Sequence, residues 1–156
     1  MNDALQTARE SIMRNPELPL DGILIGVDFD STCVTHAYPA IGHEIPECVK
    51  TLQALVKKGA RLILYTMRSD VELMAAVQWM RDHHVELWAI NHNPMQHRFS
   101  SSRKVYADIY IDDSALGTPM QENLEMSLKP FVDWTKVREL LEKKLGVKLD
   151  APVDNP

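Results

Sequence analysis

Residues 23–32 constrain the fold of this chain more than any other stretch. They begin as an apolar run of strand length, Ile-Leu-Ile-Gly-Val, and end in two carboxylates, Asp28 and Asp30, followed by two hydroxyls. A continuous apolar run is typical of a strand that is covered on both faces of a parallel sheet. Polar residues directly after such a strand lie at its carboxyl end, which is where open α/β sheets bind their ligands.

Strand and helix patterns alternate through the rest of the chain. Further apolar runs predict strands at residues 61–65, 86–90 and 109–111. Helical patterns begin near residue 46, at residue 69 or 70, and at residue 133. Because this order implies right-handed βαβ crossovers, we predict an α/β fold with a three-layer α/β/α, Rossmann-like parallel sheet and helices on both faces.

The helix that follows residue 70 has apolar side chains at helical spacing, and we predict that its methionines fill the core. These positions are Val71, Met74, Ala75, Val77 and Met80. The closing helix is predicted to be capped by Asp133 and to stop at Gly146. A short amphipathic helix at residues 2–14 and a peripheral tail at residues 150–156 complete the prediction.

Length and composition favour a single domain over residues 1–156, with its core at about residues 21–146. The chain is 45% hydrophobic and carries a net charge of −5, which argues weakly against broad nucleic-acid binding. Its two cysteines, Cys33 and Cys48, are too few for a disulfide framework. We see no membrane-spanning run and no signal peptide, so we expect no membrane partner and a cytoplasmic location.

Two carboxylates that close a buried strand would repel each other and would require a cation, of which Mg²⁺ is typical because it prefers oxygen ligands. The alternative is that Asp28 and Asp30 are ordinary turn-forming residues. Similar polar clusters occur at or just before later strand ends. They are Thr66, Lys104, and Asp112 with Asp113.

This ordered set resembles the haloacid dehalogenase superfamily, whose motifs are an Asp-x-Asp-x-Thr strand end, a Thr or Ser strand end, a Lys or Arg, and a final acidic pair. The likeness is strongest to small members without a cap domain. Those members continue with His-x-Tyr-Pro-x-Ile-Gly, as residues 36–42 do here, and carry Ser-Arg-Lys-x-Tyr-Ala-Asp, as residues 102–108 do. One departure is Ser31, where the superfamily usually has glycine.

The resemblance implies a Mg²⁺-dependent phosphatase with an aspartyl-phosphate intermediate. Asp28 would be the nucleophile, and Asp30 would be the general acid and base. The resemblance implies that Mg²⁺ is held by Asp28, by Asp30 through its carbonyl and by Asp112, while Asp113 orients a metal-bound water. Thr66 would offer its hydroxyl to a phosphoryl oxygen.

Lys104 would supply a positive charge to the phosphate, a role that Arg103 could also take. We further predict that Ser31 and Thr32 bind substrate. The loop at residues 91–103 should form a basic substrate-facing rim together with Met67 and Arg68.

The predicted helices and strands leave no room for a cap domain. An open site suits a large phosphorylated substrate, such as a nucleotide or the end of a nucleic acid, or a small one enclosed by a neighbouring subunit of a homo-oligomer. Two other functions stay open at this point. One is a non-catalytic phosphate-binding or regulatory module, and the other is a zinc site drawn from Cys33, His36, His92 and His97.

Overall fold

The computed structural model describes residue 15 and residues 17–149. The helix predicted at residues 2–14 and the tail predicted at residues 150–156 lie outside this range. Four strands form the main sheet: β1 (Leu24–Val27), β2 (Arg61–Leu64), β3 (Ala89–Ile90) and β4 (Ile109–Ile111). Two short strands form a separate pair: β5 (Met120–Gln121) and β6 (Phe131–Val132). The helices are α1 (Cys48–Lys57), α2 (Asp70–Asp82) and α3 (Trp134–Leu145), with a 3₁₀ turn at Gln96–Arg98.

The main sheet is parallel throughout and has the strand order β3-β2-β1-β4. Strand β1 is central, so that Gly26 lies opposite Ile63 on one side and Tyr110 on the other. This confirms the predicted α/β fold with a parallel sheet. Strand β4 has the predicted bounds, whereas β3 is shorter than predicted.

All three helices contribute to one core, which covers a single face of the sheet. Ile25 and Val27 of β1 face this core, together with Leu62 and Leu64 of β2. The intervening residues of these strands face the opposite side, where Ile63 belongs to a small separate cluster. The prediction of helices on both faces is therefore wrong for the described residues.

The strand order explains this one-sided arrangement. Strand β2 lies next to β1, and β3 lies next to β2 on the side away from β1, so both connections move across the sheet in the same direction. Right-handed crossovers in the same direction place α1 and α2 on the same face. The return connection from β3 to β4 crosses the other face. Its polar sequence at residues 91–108 forms loops and one 3₁₀ turn instead of a helix.

Helix α3 follows the predicted signals, because the Asp133 carboxylate accepts a hydrogen bond from the Lys136 backbone N–H and Gly146 ends the helix at φ 67°. Helix α2 has the predicted start, but Met74 is 71% exposed and Val71 is exposed as well. The prediction that both methionines of this helix fill the core is wrong for Met74 and right for Met80. Among the described residues, no helix is both long and apolar enough to cross a membrane.

Candidate active site

Three carboxylates meet at the carboxyl end of the central strand. The Asp28 backbone N–H donates to the Ile111 carbonyl at 2.9 Å, which aligns the end of β1 with the end of β4. As a result, carboxylate oxygens of Asp28, Asp112 and Asp113 all lie within 4.8 Å of one another. The sequence prediction that these strand ends share one site is consistent with this geometry.

The Thr32 side chain forms hydrogen bonds with two of these acids, Asp28 and Asp113. Its buried hydroxyl can donate to Asp28 Oδ2, at 3.2 Å, or to Asp113 Oδ1, at 3.3 Å, and it accepts a hydrogen bond from the Asp113 backbone N–H at 3.1 Å. A hydroxyl has one proton, so it serves one carboxylate at a time. Thr32 therefore positions the acids, and its burial argues against the predicted contact with substrate.

Burial among these acids raises the pKa of Asp28. Burial raises the pKa of Asp28 to about 8, with further upward contributions from its hydrogen bond to Asp113 and from the charges of Asp112 and Asp113. The backbone N–H of Phe29 opposes these effects only in part. All three residues of the cluster are acidic, so none of them supplies a positive charge to balance the others.

The donor set of this cluster consists of carboxylate oxygens alone, which fits a hard divalent cation such as Mg²⁺ better than it fits zinc. Within residues 17–149, these three acids form the one group of three or more Asp, Glu, Cys or His side chains that lie close enough together to hold a metal. The zinc alternative built on Cys33 and three histidines has no such group in the described structure. Cys33 is buried and donates its thiol hydrogen to the Asp28 carbonyl at 3.3 Å.

Lys104 lies beside the acids. A cavity of about 340 Å³ is lined by Asp28, Asp112 and Lys104 together with two aromatic residues, Tyr65 and Tyr110. The Lys104 ammonium nitrogen is 5.6 Å from the centre of the Tyr110 ring. Arg103, the other candidate for neutralising the phosphate, is exposed and lines a different cavity of about 240 Å³.

Gln96 holds the segment that carries Lys104. Its buried side-chain amide donates to the carbonyls of Ser102, at 2.9 Å, and Lys104, at 2.7 Å. Its carbonyl oxygen accepts a hydrogen bond from the Tyr106 backbone N–H at 2.9 Å. One amide side chain thus closes this segment into a compact loop. Sequence reasoning gave Gln96 no role, because a single glutamine in a polar loop has no distinguishing pattern.

Asp30 is held by Arg68 in a two-pronged ion pair. Arg68 Nε donates to Asp30 Oδ2 at 2.7 Å, and Arg68 Nη2 donates to Asp30 Oδ1 at 2.7 Å. The Arg68 side chain is 1% exposed and that of Asp30 is 20% exposed. The Arg68 side chain is therefore buried, which argues against its predicted place in a substrate-facing rim.

The other side-chain donors of Arg68 bind the loop that follows the first motif and the start of α2. They reach the carbonyls of Pro39, at 3.1 Å, and Ala40, at 2.7 Å, and Nη1 also reaches the Glu72 carbonyl at 3.4 Å. The guanidinium also lies between two rings, 5.1 Å from the centre of Phe29 and 5.2 Å from that of Tyr38. Arg68 thus ties this loop to Asp30.

The other predicted site residues differ in their surroundings. The Thr66 hydroxyl accepts a hydrogen bond from the Arg68 backbone N–H at 3.1 Å, which leaves its own proton available for a ligand. Met67 is 98% exposed, and its place in a substrate-facing rim stays a prediction. Ser31 is buried at φ 59°, a left-handed conformation that favours glycine, and its near-complete burial argues against the predicted contact with substrate.

Comparison with known proteins identifies a similar solved structure, that of a conserved protein coded by a locus from Bacteroides thetaiotaomicron. The two sequences are 37% identical, and the alignment covers 78% of this chain and 91% of the other, with a TM-score of 0.64. No protein-family model matches the chain. No curated protein matches it either.

Proposed function

The chain belongs to the same family as that conserved Bacteroides protein, and we propose that it is a Mg²⁺-dependent phosphohydrolase that cleaves phosphate monoesters through an aspartyl-phosphate intermediate. One observation carries the proposal. The Asp28 carboxylate lies with those of Asp112 and Asp113 at the carboxyl end of the central strand, and Lys104 lines the same cavity. Acids that bind a cation, next to a lysine that binds an anion, suit phosphoryl transfer.

The first step is attack by Asp28 on the phosphorus atom. A carboxylate oxygen forms a bond to phosphorus while the bond to the leaving oxygen breaks, and the leaving group departs with that electron pair. Water then attacks phosphorus, the bond to Asp28 breaks, and the carboxylate is regenerated as phosphate leaves. Burial and the other acids raise the pKa of Asp28 to about 8, which favours the protonated form of this nucleophile in the metal-free protein.

Mg²⁺ is proposed as the cofactor that keeps Asp28 ionised. Asp28 and Asp112 would hold it with the Asp30 carbonyl, and when bound it would neutralise charge on the phosphoryl oxygens. Lys104 would contribute a second positive charge, and the Thr66 hydroxyl would donate to a phosphoryl oxygen. The Asp113 carboxylate, aligned by Thr32, would orient water near the cation.

Asp30 is proposed as the general acid and base of the two half-reactions. Both of its oxygens accept hydrogen bonds from Arg68, yet each keeps a second lone pair that can take a proton from the attacking water. The ion pair fixes the direction of those lone pairs. This arrangement supports a base role in the second half-reaction most directly.

We also propose a core of the haloacid dehalogenase type without a cap domain. Two intervals in that superfamily can carry a cap, one after the first motif and one between the second and third. Here the first contains a loop, α1 and β2, and the second contains α2, β3 and the loop at residues 91–103. The site would therefore be open to a nucleotide or to the end of a nucleic acid.

The test is hydrolysis of 4-nitrophenyl phosphate by the purified protein with Mg²⁺ and with EDTA. Activity should require Mg²⁺, and Asp28→Asn should abolish it because an amide is a poor nucleophile. Asp82→Asn, the same chemical change at an exposed position of α2, is the matched control and should retain activity. Borohydride reduction during turnover should convert Asp28 to homoserine. Phosphate binding without turnover or reduction would instead identify a non-catalytic module.

A further inference from the structure

We propose that the cavity beside Asp28 binds a planar ring, so that the substrate is a small phosphate ester that carries a nucleobase or another aromatic group. This inference rests on the proposed function, because it assigns the part of the substrate that is not phosphate. The residues that carry it are Tyr65 and Tyr110, with Gly26 between them. Sequence analysis gave none of the three a role.

These residues share one face of the sheet. Gly26 pairs with Ile63 of β2 and with Tyr110 of β4, and Tyr65 follows Ile63 by two residues. Because side chains alternate along strands, Tyr65 and Tyr110 project on the face opposite the helices. The missing side chain of Gly26 leaves space beside the Tyr110 ring, in the cavity that Tyr65 also lines. A Cβ atom there would lie 3.3 Å from the Tyr110 ring.

The two rings form a partly exposed aromatic surface. Their centres are 6.4 Å apart at an interplanar angle of 50°, and each residue is 37% exposed. The Tyr110 hydroxyl donates to the Val105 carbonyl at 2.6 Å and accepts from the Ala107 backbone N–H at 3.0 Å. These bonds fix the orientation of the ring. A rigid aromatic surface that faces solvent is suited to stacking against a planar ligand.

The position and size of the cavity identify which part of a substrate it would hold. Asp28 and Asp112 line the same cavity as the two rings, so a phosphate at the acids and a ring at the tyrosines could belong to one molecule. A volume of about 340 Å³ lies at the low end of the range for small-molecule sites. The cavity therefore suits a single ring with a short linker to its phosphate. Lys104 lines the cavity as well, and its ammonium nitrogen lies over the Tyr110 ring.

The test compares substrates with and without a ring. We would measure kcat/KM for a nucleoside monophosphate, for an aryl phosphate and for glycerol phosphate in wild type, Tyr65→Leu and Tyr65→Phe. Loss of one stacking ring should lower kcat/KM for the ring-bearing substrate about 5- to 150-fold in Tyr65→Leu. Tyr65→Phe keeps the ring and should behave as wild type. The ratio of kcat/KM for the ring-bearing substrate to kcat/KM for glycerol phosphate should therefore fall in Tyr65→Leu and keep its wild-type value in Tyr65→Phe.

A second variant fills the cavity from its exposed edge. Ala115 lines the cavity at the surface, so Ala115→Leu should fold normally and exclude the ring. The ratio of its kcat/KM for ring-bearing substrates to its kcat/KM for glycerol phosphate should fall below the wild-type ratio. Whichever of the nucleoside monophosphate and the aryl phosphate shows the larger decrease in kcat/KM in both variants identifies the kind of ring that the cavity binds. Equal effects on all substrates, or no effect on any, would overturn the proposal.

Binding separates this inference from the proposed function. Uridine, whose base is a single ring, and phenol can be titrated calorimetrically into Asp28→Asn protein, because a binding measurement needs no turnover. Binding that is lost on adding Tyr65→Leu and kept with Tyr65→Phe would support the ring site even if no phosphate ester is hydrolysed. Hydrolysis without any such binding or ring preference would leave the phosphatase assignment intact and refute the ring site.

Discussion

Replacing Arg68 with methionine should destabilise the protein far more than replacing an exposed arginine. The change removes both bonds to Asp30 and leaves the Pro39 and Ala40 carbonyls without their donor. Breaking a buried ion pair from one side typically costs about 3–5 kcal/mol, because the remaining charge is left unpaired. Asp30 is 20% exposed and keeps some access to water, which places the expected loss near the lower end, about 3 kcal/mol.

Urea unfolding followed by circular dichroism measures this loss. A decrease of about 3 kcal/mol corresponds to a midpoint that is lower by roughly 1–3 M urea. The matched control is Arg98→Met, at an exposed position of the 3₁₀ turn, which should change stability by about 0.5 kcal/mol or less. The double variant Arg68→Met, Asp30→Asn should lose less than the sum of the single variants, because each single change already breaks the same pair. A loss below about 1 kcal/mol in Arg68→Met, or strict additivity, would refute the ion pair as described.

Three further predictions concern the acid cluster and its loop. The folded pKa of Asp28 is raised from 3.8 to about 8, so without divalent ions the stability present below pH 3.8 should be lost progressively as the pH rises towards 8, and Asp28→Asn should flatten this dependence in urea unfolding at several pH values. Parallel curves for the two proteins would contradict it. Asp112→Asn should weaken Mg²⁺ binding in calorimetry much more than Asp82→Asn does, and equal affinities would exclude Asp112 as a ligand. Ser31→Gly should stabilise the protein by about 1 kcal/mol in thermal unfolding, because glycine adopts the left-handed conformation at φ 59° without strain, whereas a loss of stability would show that the serine side chain is needed there.

The parts of the fold that follow from local patterns were predictable. The apolar run before Asp28 and the cap at Asp133 are decided by a few neighbouring residues, and both have the expected structure. Strands β5 and β6 have two residues each, which is too short for any periodicity to appear. Their attachment to the site depends on distant contacts, such as the bond from the Val132 N–H to the Ser31 carbonyl at 3.0 Å.

The errors have a common physical origin, which is that burial depends on partners far away in the sequence. Helical spacing shows that Val71 and Met74 share a side of α2, but it cannot show whether that side faces the sheet. Likewise, Arg68 is buried because the loop at residues 36–42 folds over it, and nothing near Arg68 in the sequence indicates this. The Gly26 position and the two tyrosines became interpretable only once the register of β1, β2 and β4 was known.

The three hydrogen bonds of the Gln96 side chain have a consequence for motion. The segment that carries Lys104 buries few apolar side chains, so its closed form depends on hydrogen bonds from the side chains of Gln96, Asn93 and Tyr110. Such a segment opens in a local step, with a free energy well below that of global unfolding, and its amide hydrogens exchange while those of β1 and β2 stay protected. Lys104 would move in that step together with the neighbouring Val105 carbonyl, which accepts the hydrogen bond from the Tyr110 hydroxyl. The charge and the ring that border the cavity therefore share one opening equilibrium, which any ligand in contact with both would shift towards the closed form.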